Sequence, residues 1–214
     1  MNPLISQIAQ NLNQPLPGPE AQYRMAHAVR GSYPATSADA RVACVLLALY
    51  PKQNDWHLVL IQRVSSNPND RHGGQISFPG GGYEEADGTL EQGALREANE
   101  EVGIIAEDVT LLGRLTELFI PVSNFIVHPF VGWLDYTPAF TPQLSEVHAI
   151  VEVPLDSLLD PANRRKTEIK LPNNITLKEV PYFDINGHIV WGATAMMLNE
   201  FLEVILKNSE EQVM

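Results

Sequence analysis

Glu97, Glu100 and Glu101 crowd the end of one segment, FPGGGYEEADGTLEQGALREANEEVGI (residues 78–104), just ahead of Gly103. The spacing predicts a helix that stops at Gly103, because glycine enters the left-handed region without a Cβ penalty. These acids suit such a helix badly. Its C-terminal end already carries roughly half a negative charge from the aligned peptide dipoles. Glu97 and Glu101 also repel one another at i and i+4, by about 0.2–0.5 kcal/mol. At about 100° per residue, Leu90, Ala94, Ala98 and Val102 form an apolar stripe flanked by Leu95. Glu97 and Glu101 border that stripe, and Gly93 projects no side chain over it. Partly buried carboxylates that repel one another need a compensating cation. Arg96 alone is too little, so a hard divalent ion with oxygen ligands, Mg²⁺ or Mn²⁺, is the expected answer. Zn²⁺ would want His or Cys nearer. A solvated acidic face is the bland alternative, and it leaves the adverse dipole and the glycine turn unexplained.

That turn, Gly80-Gly81-Gly82, precedes the acids, and backbone amides of such turns can approach phosphate oxygens. Arg63, at a predicted strand end, offers a bidentate fork for a phosphate; pairing with one of the acids is its other reading. His72 could contact phosphate or move a proton, with a loop histidine bonded to backbone as the structural alternative. Arg96 reaches Glu100 at i+4 and is read as holding the acids in position.

Several elements must position these groups. RVACVLLALY (41–50) reads as a buried strand, 51–55 as a turn, and WHLVLIQR (56–63) as its hairpin partner. Residues 64–71, with Pro68, read as a functional loop, and 76–78 as a short strand into the glycine turn. Segments 109–120 and 126–134 read as further strands, 146–153 as a weakly alternating one, and 164–171 with 175–182 as a hairpin around Pro172-Asn173-Asn174. Leu4, Ile5, Ile8 and Leu12 give a short amphipathic N-terminal helix, ended by the connector QPLPGPE. Arg24, His27 and Arg30 could line a site, with surface positions as the preferred reading. An amphipathic helix closes the chain at about 192–207. Tyr182 and Trp191 are read as core aromatics beside that helix, with stacking on an adenine as the alternative. Strands with three helical segments predict an α/β fold, a mixed sheet covered on both sides. The division expected is an N-terminal helix and linker, 1–30, packed on a single domain, 31–214.

With 214 residues and 44% hydrophobic content the chain can bury one good core. Its net charge of −12 argues against nucleic-acid and anionic-membrane partners. The single Cys44 lies in an apolar run and is expected as a buried thiol. The first residues lack the pattern of a signal peptide and no apolar run reaches membrane-spanning length, so a cytoplasmic location is expected. A homodimer is compatible with all of this.

Residues Arg96-Glu97-Ala98-Asn99-Glu100-Glu101-Val102-Gly103-Ile104 resemble the second half of the Nudix box, G-x5-E-x7-R-E-U-x-E-E-x-G-U. The first half departs. Counting from Gly81, Asp87 stands in place of Glu, with eight residues rather than seven before Arg96. That departure resembles the coenzyme A pyrophosphatase branch of the family. Upstream, Leu58 to Arg63 and His72 to Gly81 are similar to that branch's L-L-T-x-R-S/A and G-x3-F-P-G-G signature, although Arg71 only approximates its expected arginine. Tyr182 to Asp184 and Ile189 to Ala195 resemble its aromatic–(I/V)WG-x-T-A element. The resemblance implies an α/β/α sandwich with a loop–helix–loop catalytic motif and metal ligation by Glu97, Glu100 and Glu101. It implies catalysis by Glu100, Glu101 or a late glutamate that Glu146 resembles, a strand-edge acid being the other reading of Glu146. It implies substrate contacts from Arg63, Gln75, Phe78, Gly80 and Gly81, with Arg96 and Gly103 in support. The implied reaction is hydrolysis of the diphosphate in coenzyme A or its derivatives, to 4′-phosphopantetheine and adenosine 3′,5′-bisphosphate. A Nudix pyrophosphatase acting on ADP-ribose or another nucleoside diphosphate derivative, and a non-catalytic nucleotide-sensing Nudix domain, are the rivals.

Overall fold

In the computed structural model, residues 2–30, 34–65, 72–171 and 175–207 are described. The expectations placed on Pro68, Arg71 and the Pro172-Asn173-Asn174 turn fall outside them. The centre of the molecule is β1 (Arg41–Lys52), where every residue from Leu46 to Tyr50 is buried. A strand buried on both faces requires layers on both sides. It pairs in parallel with β7 (Phe125–Trp133), and antiparallel with β2 (Asp55–Arg63) and β4 (Gly80–Gly82). Antiparallel additions are β3 (Ile76–Ser77) and β8 (Val147–Pro154) on β2, then β5 (Thr110–Arg114) and β6 (Leu118–Ile120) on β7. The result is a mixed eight-stranded sheet.

Alternation along β1 divides the interior in two. Leu46, Ala48 and Tyr50 join Val59 and Ile61 beneath α3 (Leu90–Val102), where Ala94, Ala98 and Val102 supply the facing stripe. Leu47 and Leu49 point the other way, into the larger core with Ile5 and Ile8 of α1 (Pro3–Leu12) and Leu198, Phe201 and Leu202 of α5 (Gly192–Leu206). This is the expected α/β/α sandwich. A second, three-stranded sheet of β9 (Arg164–Lys170), β10 (Thr176–Ile185) and β11 (His188–Trp191) follows the short α4 (Leu155–Leu159) and sends Phe183, Ile185 and Val190 into the larger core. Among the described residues, no helix is long and apolar enough to cross a membrane.

Three local readings are corrected. The proline-rich connector is partly helical, as α2 (Gly18–Tyr23). Pro17 and Pro19 sit at the helix entry, where a missing N–H leaves no bond unmade. The expected strand 109–120 is split because the Thr116 amide leaves the ladder to donate to Glu200 Oε1 at 3.2 Å. That fully buried carboxylate also accepts from Gly18 N and Gln22 Nε2, at 3.1 and 2.8 Å, tying α2 to α5. The first hairpin turn narrows to Gln53 and Asn54, both at positive φ, the geometry that suits strand twist. Arg24, His27 and Arg30 face β10, β6 and α5 rather than an open site: they bond Glu203, the Lys178 carbonyl and the Phe119 carbonyl.

Ile8 is fully buried against the larger core. Ile8→Ala should therefore cost about 2–5 kcal/mol of stability, read by denaturant unfolding, with a native-like spectrum retained before the transition.

Candidate active site

The helix α3 starts where Thr89 Oγ1 accepts from Gln92 N and ends at Gly103, φ 74°, whose amide bonds Asn99 O at 2.9 Å. Only a residue at ease with positive φ can end it so tightly. This places all three glutamates in its last turn, each in a different setting. Glu101 turns towards the sheet and is 1% exposed. Its Oε2 accepts the Gly80 amide at 2.8 Å and its Oε1 lies 3.3 Å from Arg63 Nη1. Its carboxyl is raised to about 7: burial pushes it up, the Gly80 amide and Arg63 pull it down, and the charges of Glu97 and Glu146 add to the rise. Glu97 is half-buried. Desolvation raises its carboxyl, Arg96 opposes that, and Glu100 and Glu146 add repulsion. Glu100 is exposed and rests 3.0 Å from Arg96 Nη1.

Arg96 uses its whole fork. Nε and Nη2 hold Asp87 at 2.6 and 3.2 Å, Nη2 also donates to the Gly82 carbonyl at 3.0 Å, and Nη1 serves Glu97 at 2.9 Å and Glu100. Asp87 closes a 3₁₀ turn (Glu85–Asp87) by accepting the Glu84 amide at 2.8 Å. Asp87 therefore both caps the loop and anchors the arginine. Arg96 holds its carboxylate well below the usual range. The Asp87–Arg96 pair and the Gly82 carbonyl were not foreseen. The only sequence signal for them is the altered spacing of Asp87.

Glu146 stands at the mouth of β8, in a loop pinned from both sides. Gln143 N donates to the Glu101 carbonyl at 3.0 Å, Glu146 N donates to Gln143 O at 2.9 Å, and Val64 N donates to Glu146 O at 2.7 Å. This fixes the late glutamate within electrostatic reach of both Glu97 and Glu101. Arg63, at the end of β2, makes the expected pair with a box acid and is still about one-third exposed. Gln75 and His72 meet side chain to side chain, Nδ1 to Oε1 at 3.3 Å, so His72 is not held by backbone alone.

Two of the expected substrate contacts are already engaged within the protein. Phe78 is 1% exposed within the larger core and anchors the turn from below. Gly80 spends its amide on Glu101. At φ 155° its backbone lies so close to β1 that an added Cβ would come 2.3 Å from the Cys44 carbonyl. A Cβ on Gly81 would instead sit 2.5 Å from the Glu97 carboxyl. Gly81 thus leaves room for that carboxylate to lie on the turn.

Compensation for the crowded acids is shared more widely than one arginine. Five carboxylates, Asp87, Glu97, Glu100, Glu101 and Glu146, meet two guanidiniums, Arg63 and Arg96, and two backbone amides, those of Gly80 and Glu84. Among the described residues no three acids, histidines or cysteines already close on a single metal position. Negative charge nevertheless remains in excess, and every donor is oxygen. This set fits a hard divalent cation recruited together with a charged ligand.

The class is defined by a mixed sheet between helical layers with a glycine turn clamped to an acid-tipped helix. The NUDIX domain model matches residues 40–171, and the chain belongs to the Nudix family. It is 34% identical over 162 residues to Nudix hydrolase 22, chloroplastic, of Arabidopsis thaliana, covering 73% of this chain and 52% of that protein. It is 30% identical over 169 residues to the uncharacterized Nudix hydrolase NudL of Photorhabdus laumondii, covering 79% and 87%. The chain spans 58%, 66% and 52% of the length of the curated matches from fission yeast, Pectobacterium and Arabidopsis. The crystal structure of RenU, a Nudix hydrolase from M. smegmatis, shares the fold at 18% identity, with a TM-score of 0.50 over 82% of this chain and 88% of that one.

Two outcomes separate shape from chemistry at the turn. Gly80→Ala should unfold the protein or lower its melting temperature sharply, since backbone must move. Gly81→Ala should leave the melting temperature within a few degrees while displacing Glu97 and cutting turnover, because only the end of a flexible side chain has to shift. For Glu101, the folded carboxyl holds its proton to about pH 7 while the unfolded chain gives it up near 4.5. Its stabilising contribution is therefore present below about 4.5 and is lost as pH rises through 7. In chelator, melting of the wild type should weaken over that window. Glu101→Gln, which still accepts from Gly80, should flatten the slope and melt higher above pH 7.

Proposed function

We propose that this protein is a metal-dependent pyrophosphohydrolase that splits the diphosphate linkage of coenzyme A or its derivatives, yielding 4′-phosphopantetheine and adenosine 3′,5′-bisphosphate. The observation that carries the hydrolase reading is the convergence of Glu97, Glu101 and Glu146 beside the glycine turn, with negative charge in excess of Arg63 and Arg96. Support for the substrate comes from the signature elements between Leu58 and Ala195, including the Asp87 spacing that Arg96 uses.

Glu97, Glu100 and Glu101 would hold Mg²⁺ or Mn²⁺, which when bound neutralises diphosphate charge and makes a bound water more acidic. Arg63 offers its remaining N–H groups to a phosphate oxygen. Glu146, carried on its pinned loop, takes the proton of the attacking water. The new P–O bond forms as the bridging P–O bond breaks, and the leaving phosphate departs in line. Arg96 keeps the acids and the turn in register without touching substrate.

A panel of coenzyme A, its acyl and oxidised forms, ADP-ribose and dinucleotides, with Mg²⁺ and with Mn²⁺ and products identified by mass, tests the reading. Coenzyme A forms should give the two products named. Brisk cleavage of ADP-ribose with none of coenzyme A would replace the substrate. Glu100→Gln and Glu101→Gln should stay folded and lose more than the roughly 10–100-fold that loss of an outer-shell partner costs. Unchanged rates would overturn the mechanism.

A further inference from the structure

The three-stranded sheet has one face in the larger core and one face outside it. On the outer face, cross-strand register sets Arg165 of β9, Tyr182 of β10 and Trp191 of β11 in a single row. The sequence reading put both aromatics in the core, with stacking on an adenine as the alternative. They belong instead to neither core and are only partly buried, because Phe183 and Val190, one residue along, take the inward positions. Arg165 is turned into place by Asp184, with Nη1 to Oδ2 at 2.6 Å, and by the Ala162 carbonyl at 3.1 Å. Two partly exposed aromatic residues paired across neighbouring strands offer π-faces to a planar ligand, with the Arg165–Asp184 pair bounding the row.

The row is joined to the catalytic turn. Trp191 caps the start of α5, and Thr194, in the first turn of that helix, donates Oγ1 to the Ile76 carbonyl of β3 at 2.9 Å. β11 packs beside β3, which runs into Phe78-Pro79-Gly80. Between the two, Ser77 Oγ is buried and finds no hydrogen-bond partner among the described residues.

We propose that Tyr182 and Trp191 form the platform on which the nucleobase of the substrate stacks, with Trp191, on the strand beside β3, at the end nearer the catalytic turn. The proposal rests on the nucleotide-substrate reading above and deepens it: the aromatic row sets affinity for the base, and the acids of α3 set turnover. Base stacking on an aromatic side chain is sequence-tolerant, so the platform selects for a nucleotide and leaves the group beyond the diphosphate to other residues.

Binding of ADP to the intact protein with Mg²⁺ present tests this by calorimetry and by quenching of tryptophan emission, with inorganic pyrophosphate as the base-free control. Tyr182→Ala and Trp191→Ala should each weaken ADP about tenfold or more while pyrophosphate binding stays unchanged. Trp191→Phe should keep most of the affinity and lose most of the quenching. In turnover, Tyr182→Ala should raise KM and leave kcat near wild type. Equal ADP affinity in wild type and both alanine variants overturns the platform, as does an absence of ADP binding to wild type. If the wild type cleaves nothing on the substrate panel yet binds ADP through Trp191, the catalytic reading fails and the platform stands.

Discussion

The guanidinium of Arg96 sets the distance between the glycine turn and α3. Its five donors are directed to two carboxylates of its own helix, to Asp87 in the loop before it and to the Gly82 carbonyl on β4. A planar fork with fixed donor directions can hold four acceptors at once in a way that a lysine ammonium on a flexible stem cannot. With that fork in place, Gly81 lies against Glu97 and Gly80 against Glu101. Turn, loop and helix then behave as one rigid piece, and Asp87 belongs to it as firmly as the glutamates do.

The same piece concentrates charge that the fold does not fully balance. Glu101 is removed from water by the sheet beneath it, and its two partners offset only part of the desolvation, so its carboxyl stays raised. Glu97 and Glu146 add to the repulsion. A site tuned for stability alone would have apolar groups or more cations here. The persistence of unmatched carboxylates at the negative end of a helix is the physical mark of a site completed by a positively charged ligand.

The surrounding layers serve this piece unequally. The parallel β1–β7 pair and the two flanking cores make a platform stiff enough to hold Gly80 within contact of the Cys44 carbonyl. The N-terminal segment is fastened to α5 through Glu200, Gln22 and Asn11, on the face opposite α3. The small sheet instead reaches the catalytic turn through β3 and Thr194, which makes it the element best placed to influence what enters.

The helix α3, its stop at Gly103, the burial of Glu101 and Glu97, and the strands β1 and β2 were legible in the residues, since periodicity and dipole sense are local properties. The family followed from the spacing of Arg96, Glu97, Glu100, Glu101 and Gly103. Contacts between segments distant in the chain were not legible. No local rule says that Phe78 turns into the core, that Gly80 gives its amide to Glu101, that Thr116 leaves its strand for Glu200, or that Tyr182 and Trp191 stand outward in one row. Those outcomes depend on which strand lies beside which and in what register, and a shift of one residue would exchange every inward side chain for an outward one. The acids and their excess charge are written in the sequence; which groups share that charge, and which aromatics remain open to a ligand, is decided only when the sheets pack.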